Sequence, residues 1–212
     1  MHVSELWRYP VKSMAGELLQ SAKLTVEGIE GDRVIQVRDA RGHTATARTY
    51  PDLLGLHGSL DGAGNPLVNG MPWNDPRVLA EVRKIVGPQA SLVNDYGLDR
   101  FDILPLLVAT DDAIAAFGRD RRRLRPNLVI GGVEGLDERN WQGRRLAIGN
   151  VVIGIHDLRA RCVMTSFDPD TQEYDPTVMR DIVRRFGGWL ALNCEVLTGG
   201  EIEVGQDVSI SE

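Results

Sequence analysis

The chain has 212 residues, 42% of them hydrophobic and 25% charged, an ordinary composition for a globular protein long enough to bury a substantial core. Its net charge of −6 and pI of about 5.3 exclude a general nucleic-acid surface, which depends on neutralising many phosphates. No apolar run is long enough to cross a bilayer, the N-terminus MHVSELWRYPVKS lacks a secretory apolar core, and two cysteines form no disulfide framework, so a cytoplasmic location without membrane contact is expected.

In chain order, HVSELWRY, AKLTVEG, RVIQVRD and HTATAR are rich in β-branched residues and bounded by turn formers, so they are expected as strands. The stretch RVIQVRDARGHTATAR reads as one hairpin turning at Asp39 to Gly42. NDPRVLAEVRKIVGP places Val78, Leu79, Val82, Ile85 and Val86 on one helical stripe, with Asp75 as cap, Pro76 in the first turn and Gly87 as the stop. PLLVAT is expected as a strand, and TDDAIAAFG as a short helix capped by Thr110, with Asp111 and Asp112 at its positive end. NLVIGG and VVIGIHDL follow as strands, DPTVMRDIVRRFGG as a helix from Asp175 to Gly187, and LALNCEVL and EIEVGQDVSI as the final strands. So many short strands and so few helices exclude a doubly wound sheet. The expected fold is mainly β with a few helices, α+β, as a barrel or paired barrels in one compact unit over 1–212.

Four separated segments carry residues with no evident structural need. YPVKS sets Lys12 and Ser13 just after a proline. EGDR sets Arg33 after a glycine turn, TAR supplies Arg48, and RPN sets Arg125 and Asn127 before an apolar strand. Together these describe an anion site, because guanidinium forks, an ammonium and a hydroxyl are the donors that a phosphate needs. The adjacent GRDRRRLRPN gathers Arg119, Arg121, Arg122, Arg123 and Arg125, enough charge for one or two phosphates of a small ligand, although Arg119 to Arg122 are expected as a solvated turn. Thr110 is expected either as a plain helix cap or as a contributor of helix N-terminal amides to the anion site. In RARCVMTSFDPDT, Cys162 lies beside Arg159 and Arg161, which would favour its thiolate as nucleophile or soft-metal ligand; the alternative is a small buried apolar residue. Cys194, in the apolar WLALNCEVL, is expected in the core. Asp168 and Asp170 are expected to fix the turn that carries Cys162, and Trp141 is expected to pack.

The collinear series YPVKS, EGDR, TAR, DILPLLVAT, RLRPNLVIGG, ERNW, RCVMTSFDPDT, FG and VGQDV resembles the MOSC family, the molybdenum cofactor sulfurase C-terminal domains, and within it the amidoxime reducing component branch. The resemblance spans nearly the whole chain. It implies a MOSC-type mixed β-barrel against which N-terminal strands pack, with an N-terminal MOSC-associated region over 1–95 and a MOSC core over 96–212. It further implies molybdenum cofactor (molybdopterin) bound by Lys12, Ser13, Arg33, Arg125 and Asn127, with Cys162 as metal ligand and catalytic residue; Arg48, Thr110 and Arg161 are expected beside them as cofactor-binding residues on their own chemistry. The implied activity is a molybdenum-dependent oxidoreductase acting on a small-molecule substrate with an N-hydroxyl or N-oxide group. No iron–sulfur cysteine run accompanies it, so electrons would come from a separate donor protein. Two alternatives stand beside it. In one, Cys162 is a persulfide sulfur carrier loaded by a pyridoxal-phosphate-dependent desulfurase; in the other, the chain is a non-enzymatic binding module for a phosphorylated ligand. The chain departs from the family at Arg139, where an acid is usual before the tryptophan, and at Thr49, where glutamine is usual after TAR, which leaves the substrate and the oligomeric state open.

Overall fold

The computed structural model describes residues 1–97 and 100–212. The elements run β1 (His2–Arg8), β2 (Glu17–Leu19), β3 (Ser21–Thr25), β4 (Gly28–Ile29), β5 (Ile35–Arg38), β6 (Gly58–Leu60), β7 (Pro66–Val68), β8 (Met71–Pro72), α1 (Pro76–Val86), β9 (Ser91–Asn94) and β10 (Leu106–Thr110). They continue with α2 (Asp111–Phe117), β11 (Leu128–Gly131), β12 (Arg145–Ile148), β13 (Val151–Ala160), α3 (Pro176–Phe186), β14 (Trp189–Thr198), β15 (Gly200–Glu203) and β16 (Ser209–Ser211).

Eight strands form the main sheet in the order β16-β12-β13-β14-β10-β11-β1-β2. It is mixed, with β10 and β11 parallel and the other neighbours antiparallel. The sheet also closes on itself. Residues 205–208, which lead into β16, bond to the first strand through Val3 N to Gln206 O (2.9 Å), Gly205 N to Val3 O (2.8 Å) and Val208 N to Met1 O (3.0 Å). Closure removes the exposed edge that an open sheet would offer to other chains. The interior is filled by Leu6, Leu106, Leu128, Ile130, Ile153 and their neighbours, each worth about 1.5–3 kcal/mol when fully removed from water. Cys194 lies wholly within this core, and Trp141 packs there at 1% exposure, both as expected.

Two smaller cores flank the barrel. Val78 and Val82 of α1 pack with Val37, Leu53 and Val68, while α2 and α3 meet through Phe117, Ile182 and Phe186. Residues 1–95 contribute β1 and β2 to a sheet whose other strands come from residues 96–212, so both regions share the barrel interior. Helix α1 follows its sequence signals closely: Asp75 accepts a hydrogen bond from Arg77 N, Pro76 begins the helix and Gly87 follows it.

Three local expectations fail, each for a physical reason. The turn at Asp39 to Gly42 forms, with the Asp39 carboxylate accepting from Arg41 N and His43 N, but HTATAR is not the partner strand of β5. After one bridge from Arg38 to Thr44, the chain curls because Thr46 O accepts from both Thr49 N and Tyr50 N; the same edge of β5 is completed by Pro10 O and Lys12 N at Ile35, and β9 pairs along the other edge. EIEVGQDVSI breaks into β15 and β16, since the intervening residues pair with the first strand. Thr110 precedes α2 without a side-chain cap; its hydroxyl donates to Glu138 Oε2 at 3.3 Å.

Candidate functional site: a cationic cleft around Cys162

The loops that follow β1 and β4, the segments that precede β10 and β11, and the end of β13 converge on one cleft. Seven of the eight residues read as cofactor ligands, Lys12, Ser13, Arg33, Arg48, Arg125, Asn127 and Arg161, line it together with Cys162. Thr110 does not. It is fully buried at the opposite end of β10 from Leu106 and Leu107, which do line the cleft, roughly 13 Å away along the strand. Asp111 accepts from Asp112 N (2.9 Å) in the first turn of α2 and from Gly132 N (2.7 Å), so those amides are taken within the fold.

Three cleft residues have left-handed backbone conformations: Ser13 (φ 71°), Arg33 (φ 56°) and Arg125 (φ 56°). Such conformations cost about 1–3 kcal/mol each for residues with a Cβ and persist where surrounding bonds over-determine them. Here the bonds can be named. Arg33 N donates to Tyr9 O at 2.8 Å, and Asp32, wholly buried, accepts from Tyr9 N at 2.7 Å and ion-pairs with the Arg33 guanidinium. Asn127 completes the frame. Its Oδ1 accepts from Leu107 N (3.1 Å), and its Nδ2 donates to Trp7 O (3.3 Å) and Asp32 Oδ2 (3.2 Å). The Asn127 amide is thus committed to the fold and acts by placing Asp32 and, through it, Arg33.

The arginine-rich segment separates into two kinds. Arg119 pairs with Asp175 and Asp181, Arg121 with Glu5, Arg122 with Asp120 and Asp170, and Arg123 with Asp168. Arg125 differs. It is 7% exposed, it has no acidic partner among the described residues, and its guanidinium lies 4.2 Å from the centre of the Tyr9 ring. Burial, reinforced by the nearby Arg33 charge, lowers its pKa to about 10, so it remains a cation at neutral pH.

Around Cys162 three arginines gather, Arg48, Arg159 and Arg161. The adjacent Arg161 directs Nη2 to Leu124 O (2.8 Å), and its buried Nε has no hydrogen-bond partner among the described residues. The remote Arg48 also lies beside the thiol and contacts Asp102; burial alone would lower the Arg48 pKa, but these two neighbours carry it above the ordinary value. Cys162 is half-buried at the start of a short turn over Val163–Ser166. As expected, Asp168 fixes the following loop by accepting from Asp170 N and Thr171 N, both at 3.0 Å. Cys194 is the opposite case, its thiol pushed well above the usual range first by burial and then by Asp157 and Glu195.

Asp102 and Asp32 escaped the sequence reading, although Asp32 sits inside the EGDR segment itself. Asp102 receives Lys12 Nζ (3.0 Å), Arg48 and Arg159 Nη2 (3.6 Å). Its neighbour Ile103 carries no charge and no turn pattern marks it, so only the fold brings this acid to three cations. Among the described residues no three His, Cys, Asp or Glu side chains form a metal cluster. Cys162 is therefore a single soft donor in a cationic cleft, a set that suits a metal arriving with further ligands on an anionic carrier.

A cationic cleft at the junction of a closed mixed barrel and its N-terminal strands, with one thiol at its mouth, defines a class. The MOSC N-terminal beta barrel domain matches residues 1–80 and the MOSC domain matches residues 110–209, and the chain belongs to this family, which is associated with molybdenum cofactor binding. Its curated relatives lie in the branch that the sequence resembles. They include mitochondrial amidoxime reducing component 2 of Macaca fascicularis, 25% identical over 244 residues covering 87% of this chain and 72% of that protein. The Homo sapiens protein of the same name shows the same identity and coverage. Among solved structures, the YuaD protein from Bacillus subtilis covers 99% of this chain and 94% of its own, at 13% identity and a TM-score of 0.55, a likeness of fold. Among the described residues no helix is long and apolar enough to cross a membrane.

Proposed function

We propose that this chain is a molybdenum-cofactor-dependent oxidoreductase that reduces N-hydroxylated or N-oxide substrates, with Cys162 as the metal ligand. The observation that carries this reading is Arg125, a buried cation that forms no ion pair with any carboxylate of the described residues. A buried charge of this kind needs an anionic partner, and a phosphate supplies one. Arg125 and Arg33, with Lys12 and Ser13, would hold the phosphate end; Arg161, with its unpartnered Nε, and Arg48 would flank the metal end. The cofactor, when bound, would supply reversible two-electron oxygen-atom chemistry.

The chain's own residues do the rest. Arg48 places its charge beside Cys162, the Asp32–Asn127 frame holds Arg33, and Phe101, Leu104 and Met164 give the cleft apolar walls that limit water. The overall reaction consumes two electrons and two protons and releases the oxygen as water. The electrons come from a separate donor protein, because the two cysteines provide no iron–sulfur site. A cytoplasmic setting belongs to the same proposal, both cysteines being free thiols.

Metal analysis with pterin fluorescence tests the reading. Protein from a cofactor-competent host is expected to carry molybdenum and pterin in equal amounts, and the absence of both after reconstitution would overturn it. The half-exposed Cys162 also serves a second reading, a persulfide carrier loaded by a pyridoxal-phosphate desulfurase, which leaves Arg125 and Arg33 unused. Added sulfur on Cys162 after incubation with desulfurase and cysteine would favour that reading. A non-enzymatic binding module would keep its biological activity in Cys162→Ser.

A further inference from the structure

The cleft has two acids, and they differ in what holds them. Asp32 is wholly buried and bonded to Tyr9 N and Asn127 Nδ2, so it cannot leave without breaking the frame. The Asp102 side chain keeps 30% of its exposure and, among the described residues, bonds to no backbone amide; its partners are the cations Lys12, Arg48 and Arg159. It lies between β9 and β10, near Arg100, which is anchored independently of it. Arg100 Nη1 donates to Tyr96 O (2.7 Å) and Gly97 O (3.1 Å), its Nη2 to Glu27 O (3.1 Å) and its Nε to Asp32 O (3.2 Å). Lys12 Nζ also donates to Arg100 O at 2.7 Å, so Lys12 keeps its place whether or not Asp102 faces it. Side-chain rotation alone can carry the Asp102 carboxylate out to water while Lys12 stays bonded to Arg100 O and Arg159 to Asn193 Oδ1.

Arg48, Arg159 and Asp102 itself line an open cavity of about 300 Å³ that reaches Cys162, with Ile103 and Ala160 as its apolar part, and Lys12 lines the adjoining main cleft. Three positive charges against one negative leave the mouth with an unbalanced positive field. The carboxylate sits where an incoming anion would make its best contacts with Arg48 and Arg159.

We infer that Asp102 is a tethered competitor for a second anion site at the mouth of the cleft: its carboxylate holds the place of an external carboxylate or phosphate until one displaces it. The ligand class is a small molecule with an acidic group, presented beside Cys162. On the proposed function, on which this inference rests for its substrate, that molecule is an acidic N-hydroxylated compound. The same chemistry could also come from the phosphate of the cofactor.

The test titrates inorganic phosphate into cofactor-free protein by calorimetry, for the wild type, Asp102→Asn, Asp102→Ser and the surface control Asp170→Asn. Both Asp102 variants are expected to bind phosphate roughly tenfold more tightly than the wild type, with the control unchanged. Equal affinity in all four proteins would overturn the inference, and native circular dichroism excludes misfolding as the cause. In the cofactor-loaded protein, Asp102→Asn is expected to lower KM for a carboxylated aromatic amidoxime and leave KM for the uncarboxylated compound unchanged. That result assigns the site to substrate, whereas tightening confined to the cofactor-free protein assigns it to the cofactor phosphate. Molybdenum content is measured in the same samples. Tight phosphate binding by Asp102→Asn in a protein that never takes up molybdenum would sink the proposed function and leave the tethered anion standing.

Discussion

The Arg125 guanidinium rests 4.2 Å from the centre of the Tyr9 ring, so the most buried arginine of the cleft is held by an aromatic face instead of a carboxylate. Burial pushes the Tyr9 phenol above its ordinary pKa, ahead of the opposing pull of Arg125 and Arg33, and the neutral hydroxyl donates to Pro126 O at 3.1 Å. A cation positioned by a ring keeps its hydrogen-bond donors available to a ligand.

Arg125→Ala is therefore expected to weaken cofactor retention by about 2–3 kcal/mol, the loss of charge-assisted bonds to a partly buried phosphate. Arg121→Ala, which removes a half-exposed pair with Glu5, is expected to change it by less than about 1 kcal/mol. Cofactor content after dialysis decides the matter, and equal retention would show that Arg125 is not the phosphate ligand.

Limiting iodoacetamide at neutral pH is expected to label Cys162 ahead of Cys194, as one thiol is half-exposed and the other lies in the core with a raised pKa. Bound cofactor should protect Cys162. Arg48→Met should slow the labelling, because it removes the guanidinium that contacts the thiol. Cys162→Ala should abolish turnover, whereas Cys194→Ala should keep most of it. Peptide mapping that found Cys194 modified first would contradict this assignment.

Thr110→Val separates the structure from the sequence reading. The substitution leaves Glu138, already 1% exposed with Oε1 unpartnered, without its Thr110 bond, and is expected to cost about 1–3 kcal/mol of stability. Cofactor content at a temperature where the variant is folded should equal that of the wild type. A selective loss of cofactor would return Thr110 to the site.

Acid should loosen the mouth of the cleft. Burial raises the Asp102 pKa, but Lys12, Arg48 and Arg159 outweigh it and hold the carboxyl below its ordinary value. The contribution of a depressed acid is complete above the unfolded value, about 3.9, and is lost as pH falls through the lower folded value. Denaturant titrations of the cofactor-free protein between pH 5 and pH 3 should show a steeper loss of stability for the wild type than for Asp102→Asn. Parallel curves would mean that the cluster contributes nothing to folding.

Much of the molecule was determined by local chemistry. Helix α1 is delimited by Asp75, Pro76 and Gly87, each acting on backbone within a turn of itself, and the strands with sustained β-branched runs formed because their side chains suit a pleated, half-buried surface. Seven of the eight expected cofactor residues lie in short motifs that hold turns at the ends of elements, so a correct ordering of elements was enough to gather them. Tertiary structure alone decided the pairings. HTATAR has the composition of a strand, but Thr46 O accepts two amides and the partner of β5 comes from more than fifty positions downstream, at β9. The choice among arginines was likewise spatial: Arg121, Arg122, Arg123 and Arg125 share one chemistry in sequence, and only the positions of Glu5, Asp120, Asp168 and Tyr9 determine which charge is neutralised and which faces the cleft. Asp102 and Arg48 reached Cys162 by the same route, because Coulomb forces depend on distance in space and a sequence records only distance along the chain.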